Sequence, residues 1–263
     1  MFSVLFPGQG SQSVGMARAL YDNFGYIKDL FEEADDTLKL SIKKIIFEGP
    51  KDLLNETENT QPAIFLVSYA IFKIIKKETS FDITKANFFA GHSLGEYSAL
   101  ACSNSINFKE TIKLLKIRGN AMQNAVPKGE GGMTAILGTK VEDIEILLRE
   151  NQNNFKVEIA NDNSDGQMVL SGKIHDLEKL NSILIEKKIK HIRLPVSAPF
   201  HCSLMNKATE IMKEELSKLN FKKGCNSVIS NITADEIFNA DELKDLLVQQ
   251  IENKVRWRES VIN

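Results

Sequence analysis

The pentapeptide Gly91-His92-Ser93-Leu94-Gly95 constrains the fold more than any other stretch of the chain. It is a G-x-S-x-G pattern, preceded by the apolar run Asn87-Phe88-Phe89-Ala90 and followed by Glu96-Tyr97-Ser98-Ala99-Leu100-Ala101. The first run reads as a short buried strand and the second as a helix. Strand, sharp turn and helix in that order make a nucleophile elbow, which holds a serine hydroxyl at the top of an α/β sheet. The flanking glycines leave room for a tight, strained turn. The helix that follows aims its N-terminal N–H groups and its dipole at any oxyanion formed there. A plainer reading fits the same residues: a Gly-rich βα turn whose serine only caps a helix. The pentapeptide alone leaves both open.

The chain has 263 residues, near the upper limit for one hydrophobic core, so a single domain with an inserted lobe is expected. With 43% hydrophobic and 26% charged residues its composition is that of an ordinary globular protein. A net charge of -2 gives the molecule as a whole no pull on nucleic acid or an anionic membrane, so a charged partner must be met by a local patch. The start, Met1-Phe2-Ser3-Val4-Leu5-Phe6-Pro7-Gly8, lacks the basic region and small-residue cleavage site of a signal peptide. The longest apolar stretch, 62–72, is too short to span a bilayer. Cys102, Cys202 and Cys225 are odd in number and form no C-x-x-C pair, so free thiols in a cytoplasmic setting are expected, with no disulfide framework and no metal site. Cys202 beside His201 could suggest a Cys–His nucleophile pair, but adjacent residues point apart.

Taken in order, residues 3–6 form a strand and 7–12 a polar Gly-rich turn. Helices are predicted over 15–24, 26–35 and 38–47, the last ended by Gly49-Pro50. Thr60 is the expected N-cap of a buried helix with Pro62 in its first turn. Asn107 is expected to cap a helix from Phe108 to about Ala125, with Ile112, Leu115, Ala121 and Met122 inward and Arg118 within it. Pro127-Lys128-Gly129-Glu130-Gly131-Gly132 reads as a linker. Beyond it come a strand (133–137), a helix (141–150), strands at 156–160 and 167–171 around the turn 161–166, a helix (177–187) and a strand (189–196). That order is β-α-β-β-α-β, the ferredoxin-like unit. The expected architecture is α/β: a hydrolase-like parallel-sheet lobe of residues 1–127 and 197–263, with an inserted ferredoxin-like small lobe of residues 128–196. A long helix to about Leu219, a strand at 227–232 and a helix at 241–252 complete the large lobe.

A serine hydroxyl is a weak nucleophile at neutral pH and needs a base within hydrogen-bond reach. Of the four histidines, His92 neighbours Ser93 and would point away, His175 begins a surface helix and His191 lies in a basic edge strand. His201 follows the small, kinked loop Ser197-Ala198-Pro199-Phe200 and is the candidate base; the plainer reading makes it a helix-start residue that caps its neighbour. Arg118 sits mid-helix among apolar residues, where a guanidinium needs a partner. Its planar fork suits a substrate carboxylate, and equally an internal ion pair.

Five stretches now stand in a recognisable order: Phe6-Pro7-Gly8-Gln9-Gly10-Ser11-Gln12, Thr60-Gln61-Pro62-Ala63, Gly91-His92-Ser93-Leu94-Gly95-Glu96-Tyr97, Arg118-Gly119 and Ala198-Pro199-Phe200-His201. In this the chain resembles the malonyl-CoA:acyl carrier protein transacylases, and the related acyltransferase domains of fatty-acid and polyketide synthases, over essentially its whole length. The resemblance implies a malonyl group carried on Ser93, with His201 as base and later acid. It implies a backbone carbonyl from Gln250 behind the histidine in place of a triad acid, and an oxyanion hole from the N–H groups of Gln9 and Leu94. Arg118 would clamp the malonyl carboxylate and Gln61 would support it. Phe200 before the histidine suits a small acyl group, and Asn161 and Asn163 fall where the family places residues facing the cleft. The implied reaction is ping-pong transfer from malonyl-CoA to the phosphopantetheine thiol of acyl carrier protein in fatty-acid biosynthesis, with no cofactor and no metal.

The basic run Lys187-Lys188-Ile189-Lys190-His191-Ile192-Arg193 is a candidate docking surface for an acidic carrier, through Lys187, Lys188, Lys190 and Arg193; a helix C-terminus followed by a solvated edge strand explains the same charges. A monomer is expected. Relatives in the resembled family usually continue past the Trp257 region through another strand, so the resemblance implies that this strand is missing and a sheet edge exposed. Two further readings stay open: a serine esterase or thioesterase, with water as second acceptor, and a catalytically silent carrier-binding module.

Overall fold

The computed structural model describes residues 1–196, 198–237 and 239–263. Ser197, expected to open the returning part of the large lobe, lies outside them. The elements run β1 (Ser3–Phe6), α1 (Arg18–Asn23), α2 (Gly25–Leu38), α3 (Ile42–Glu48), α4 (Lys51–Asn55), α5 (Thr57–Glu78), β2 (Phe88–Gly91), α6 (Leu94–Cys102), α7 (Phe108–Asn124), β3 (Gly131–Leu137), α8 (Val141–Glu150), β4 (Val157–Ser164), β5 (Gln167–Lys173), α9 (Ile174–Glu186), β6 (Lys190–Arg193), α10 (Asn206–Ser217), β7 (Ser227–Ile229), α11 (Ala240–Gln249) and α12 (Trp257–Ile262). Among the described residues no helix is long and apolar enough to cross a membrane.

The chain divides into two compact units. The first comprises Met1–Asn120, Glu215–Ser230 and Glu236–Leu243. Its sheet is parallel, in the order β1-β2-β7. The middle strand carries Phe89 and Ala90, both buried, as expected of a parallel strand covered on two faces. Phe89 packs edge-on against Phe6 and Phe72, and Phe65 stacks on Phe108, so α5 and α7 share one aromatic core with the sheet. Full burial of each such ring contributes about 2 kcal/mol.

The second unit comprises Ala121–Glu214, Asn231–Asp235 and Lys244–Asn263. Its antiparallel sheet has the order β4-β5-β3-β6. In sequence terms that is second, third, first, fourth, the ferredoxin-like arrangement. One face packs Ile136, Val157, Met168 and Leu170 against Ile144, Leu147, Leu177, Leu180 and Leu184 of α8 and α9. The alternating residues Glu158 and Ser171, which are register partners, stand on the other face.

The structure revises several sequence-based boundaries. α5 starts at Thr57, because the Glu56 carbonyl accepts from the N–H groups of Asn59 and Thr60. Thr60 is therefore inside the helix and no N-cap; its hydroxyl donates to the Leu54 carbonyl at 2.6 Å. Residues 161–166 are not all turn: β4 runs on to Ser164 through two register irregularities. The polar run stays extended because Val255 supplies backbone partners, its N–H donating to Ala160 and its carbonyl accepting from Asp162. The predicted 38–47 helix begins only at Ile42, since Lys39 takes a left-handed φ of 50° and closes α2. The short helices α4 and α12 were not predicted; α12 packs on β4, where Arg258 makes a two-pronged ion pair with buried Asp162.

Candidate active site

In the first unit β2 ends at Gly91 and α6 begins at Leu94, so Ser93 occupies a two-residue corner between strand and helix. Its backbone is at φ 54°, ψ -107°, a conformation that costs a non-glycine residue of order 1–3 kcal/mol. The corner survives because its neighbours are tied down. The His92 N–H donates to Phe6 O at 3.0 Å, the Gly95 N–H to His92 O at 2.9 Å and the Glu96 N–H to Ser93 O at 3.1 Å. A Cβ on Gly91 would lie 1.9 Å from the Gly95 backbone, and one on Gly95 would lie 2.5 Å from the Phe6 carbonyl oxygen. The glycines therefore permit contact between backbones, and they bring the N-terminal turn that carries Gln9 against the elbow. That turn is stapled locally, with Ser11 Oγ donating to Gly8 O and the Gly10 N–H to Gln12 Oε1, both at 2.8 Å.

The Ser93 side chain makes no cap hydrogen bond to α6, contrary to the plainer reading of the pentapeptide. It accepts instead from Arg118 Nη2 at 3.1 Å. Arg118 is 1% exposed, and its Nη1 donates to Gln61 Oε1 at 2.8 Å. Its guanidinium carbon also stands 5.3 Å from the centre of the Tyr97 ring. Desolvation lowers the Arg118 pKa, while Tyr97 and Glu96 oppose that shift, and a guanidinium stays protonated. Burial pushes the Tyr97 hydroxyl up to about 12. Sequence reading gave Tyr97 no role; its place four residues after Ser93, one helical turn along, was the available signal. Leu94 opens α6, so its N–H is among those that a helix N-terminus leaves for other acceptors.

In the second unit His201 is 4% exposed, with φ 56°. Its Nδ1 lies 2.7 Å from the Gln250 carbonyl oxygen, a contact that makes Nδ1 the protonated nitrogen and leaves Nε2 as the acceptor. Gln250 is fully buried, and its Nε2 donates to Asn231 Oδ1 at 3.3 Å. Phe200 is buried beside His201, and its carbonyl accepts from Ser171 Oγ at 2.6 Å. Cys202 is no partner for the imidazole: its thiol donates to Pro199 O at 3.0 Å, and burial pushes its pKa up to about 12. Asn161 is buried at the first irregularity of β4, bridged to Val255, and half-buried Asn163 follows at the second. Lys187, Lys188, Lys190 and Arg193 are exposed at the end of α9 and along β6.

A parallel sheet with a serine elbow, accompanied by an antiparallel sheet of ferredoxin-like order, defines a class of α/β acyl-transfer proteins. The model of the family described as "Acyl transferase domain" matches residues 4–262, and the chain belongs to that family, with the malonyl CoA-acyl carrier protein transacylases as its relatives. It is 40% identical to the malonyl CoA-acyl carrier protein transacylase of Bacillus subtilis over 259 residues, which are 98% of this chain and 80% of that protein. A crystal structure of an acyl-carrier-protein-S-malonyltransferase from Bartonella henselae superposes with a TM-score of 0.95 at 40% identity, covering 100% of this chain and 84% of that one. A malonyl-transacylase solved in complex with its type II polyketide acyl-carrier protein gives 0.94 at 36% identity, with coverages of 99% and 84%.

Proposed function

We propose that this chain moves a malonyl group from malonyl-CoA to the phosphopantetheine thiol of acyl carrier protein, as the names of its relatives describe for them. The observation that carries this reading is the buried Arg118 guanidinium donating to Ser93 Oγ. The carboxylate of a malonyl ester lies only one carbon beyond the ester carbonyl. A cation within hydrogen-bond reach of the nucleophile therefore meets that carboxylate and has nothing equivalent to offer an acetyl group. Gln61 fixes the guanidinium, and Asn161, Asn163 and Phe200 complete the acyl-binding set in this reading.

In the first half-reaction Ser93 Oγ attacks the thioester carbonyl as His201 Nε2 takes its proton, and the N–H groups of Gln9 and Leu94 hold the oxyanion. The C–S bond breaks, the imidazolium returns the proton to the CoA sulfur, and the malonyl ester of Ser93 remains. In the second half the carrier thiol gives its proton to His201 and attacks the ester; Ser93 leaves and recovers a proton from His201. The Gln250 carbonyl holds the imidazole tautomer throughout, the task a triad acid performs elsewhere.

The same reading takes 128–196 as an inserted module within a hydrolase-like lobe of 1–127 and 197–263. It places carrier docking on Lys187, Lys188, Lys190 and Arg193, and has the protein work as a cytoplasmic monomer. Intact-mass measurement with malonyl-CoA and acetyl-CoA in competition tests the substrate assignment. The wild type should carry only malonyl, and R118A should lose that preference; an unchanged preference in R118A would refute the clamp.

A further inference from the structure

We infer that Glu158 and Ser171 are positioning residues for the reaction: a cross-strand pair that grips the chain on both sides of His201 and holds its imidazole on line. The inference rests on the reading of His201 as the base. Three observations, all in the second unit, carry it. First, His201 takes φ 56°, a region an L-residue occupies only when its surroundings impose it. Second, two contacts that flank it come from one place. Ser171 Oγ donates to the Phe200 carbonyl at 2.6 Å, immediately before the histidine. After it, the Glu158 carboxylate accepts from the Ser203 N–H at 3.2 Å and from Ser203 Oγ at 2.6 Å. Third, Glu158 and Ser171 are direct register partners on β4 and β5, so their side chains rise together from the same face of the sheet.

Gln250 holds the histidine through its ring, at Nδ1. The strand pair fixes the backbone from which the ring hangs. Proton transfer falls steeply with small displacements, and misplacing a reacting group by about 1 Å can cost ~10²-fold. A carboxylate suits the task on the far side because it can take the N–H and the hydroxyl of Ser203 at once. The serine suits the near side because a carbonyl needs a donor. The histidine can therefore tolerate its strained backbone without a glycine at that position.

The test is a cycle on the burst of Ser93 acylation, in which the amplitude counts competent molecules and the rate constant reports the chemistry. E158A should slow the burst ~10–100-fold at near-full amplitude, with KM for malonyl-CoA moved less than about twofold. E158Q, which keeps an acceptor for Ser203, should recover most of that loss. S171A should slow the burst ~3–10-fold and S171T should restore it; this pair carries the test if E158A does not fold. H201A should be slower than any of these, and E158A/H201A no slower than H201A alone. Fully multiplicative losses in the double variant would show that Glu158 works independently of His201 and would overturn the inference. A wild-type burst rate in folded E158A and S171A would overturn it while leaving His201 as base. A wild-type rate in H201A would remove the base assignment and the positioning role with it.

Discussion

Ser93 and His201 share one backbone feature: each is a non-glycine residue at a φ of about +55°, just ahead of a helical segment. They are held by different means. The Ser93 corner is held by backbone against backbone, with glycines at 91 and 95 admitting contacts that no side chain would survive. The His201 corner is held by side chains and carbonyls that arrive from far along the chain: Ser171, Glu158 and Gln250. In the proposed reaction the Ser93 hydroxyl must be aimed, and close-packed backbone is the stiffer support. As the proposed base, His201 gives and takes a proton in turn, a task that a hydrogen-bonded network of side chains can carry.

The difference predicts how each corner breaks. Gly91→Ala should be the most damaging single methyl group in the molecule, because the added Cβ would lie 1.9 Å from the Gly95 backbone. No folded protein, or a loss of roughly 4 kcal/mol or more in urea denaturation, is expected, in line with overpacking against immovable backbone. Next in size is a pH effect confined to the serine side. Burial holds the Tyr97 hydroxyl at about 12 in the folded chain, above its ordinary value of 10.0. The folded state therefore keeps that proton longer than the unfolded chain does. The associated stability is complete below about pH 10 and is lost as pH rises through the folded value, of order 2 kcal/mol in total. Comparing urea midpoints of wild type and Y97F between pH 9 and 11 should show a steeper decline in the wild type.

A smaller effect is expected at the histidine corner from Gln250→Ala. The contact to His201 uses the main-chain carbonyl, so the variant keeps it while losing the hydrogen bond from Nε2 to Asn231. A stability loss of about 1–2 kcal/mol, from the loss of that buried bond, should accompany an acylation rate within about threefold of wild type. Smallest of all is a labelling result. Cys225 is exposed while Cys102 and Cys202 are buried with thiols held well above their ordinary pKa by desolvation. Ellman's reagent should therefore find one thiol in the native protein and three after denaturation.

The same contrast explains how far the sequence could be read. The elbow was legible because strand, glycines, serine and helix are contiguous, and the spacing of two glycines around Ser93 encodes the geometry by itself. The ferredoxin-like order was legible from alternating apolar runs, as was the Asn107 cap, where Asn107 Oδ1 accepts from the Glu110 N–H at 2.9 Å. What escaped depends on partners distant in sequence. The strand through Asn161, Asp162 and Asn163 looked like a turn because nothing local shows that Val255 will pair with it. Thr60 looked like a cap because the short helix before it, whose Leu54 carbonyl takes its hydroxyl, carries no apolar periodicity of its own. Glu158 and Ser171 are not legible because a Glu and a Ser in alternating strands ordinarily face water. Arg118 is legible for the opposite reason, since a guanidinium among apolar residues must answer to something; that it answers to Ser93 and Gln61 is visible only in three dimensions.

The central claim is that Ser93, at the glycine-braced corner, carries the malonyl group between donor and acceptor. Its most direct test is rapid-quench mass spectrometry of the protein mixed with malonyl-CoA alone, followed by addition of holo acyl carrier protein. The account predicts one malonyl group per chain, mapped to Ser93 and absent from S93A, which then passes to the carrier thiol without loss to water. A folded, monodisperse chain that gains no malonyl mass, or one whose adduct maps elsewhere or hydrolyses faster than it transfers, would contradict it.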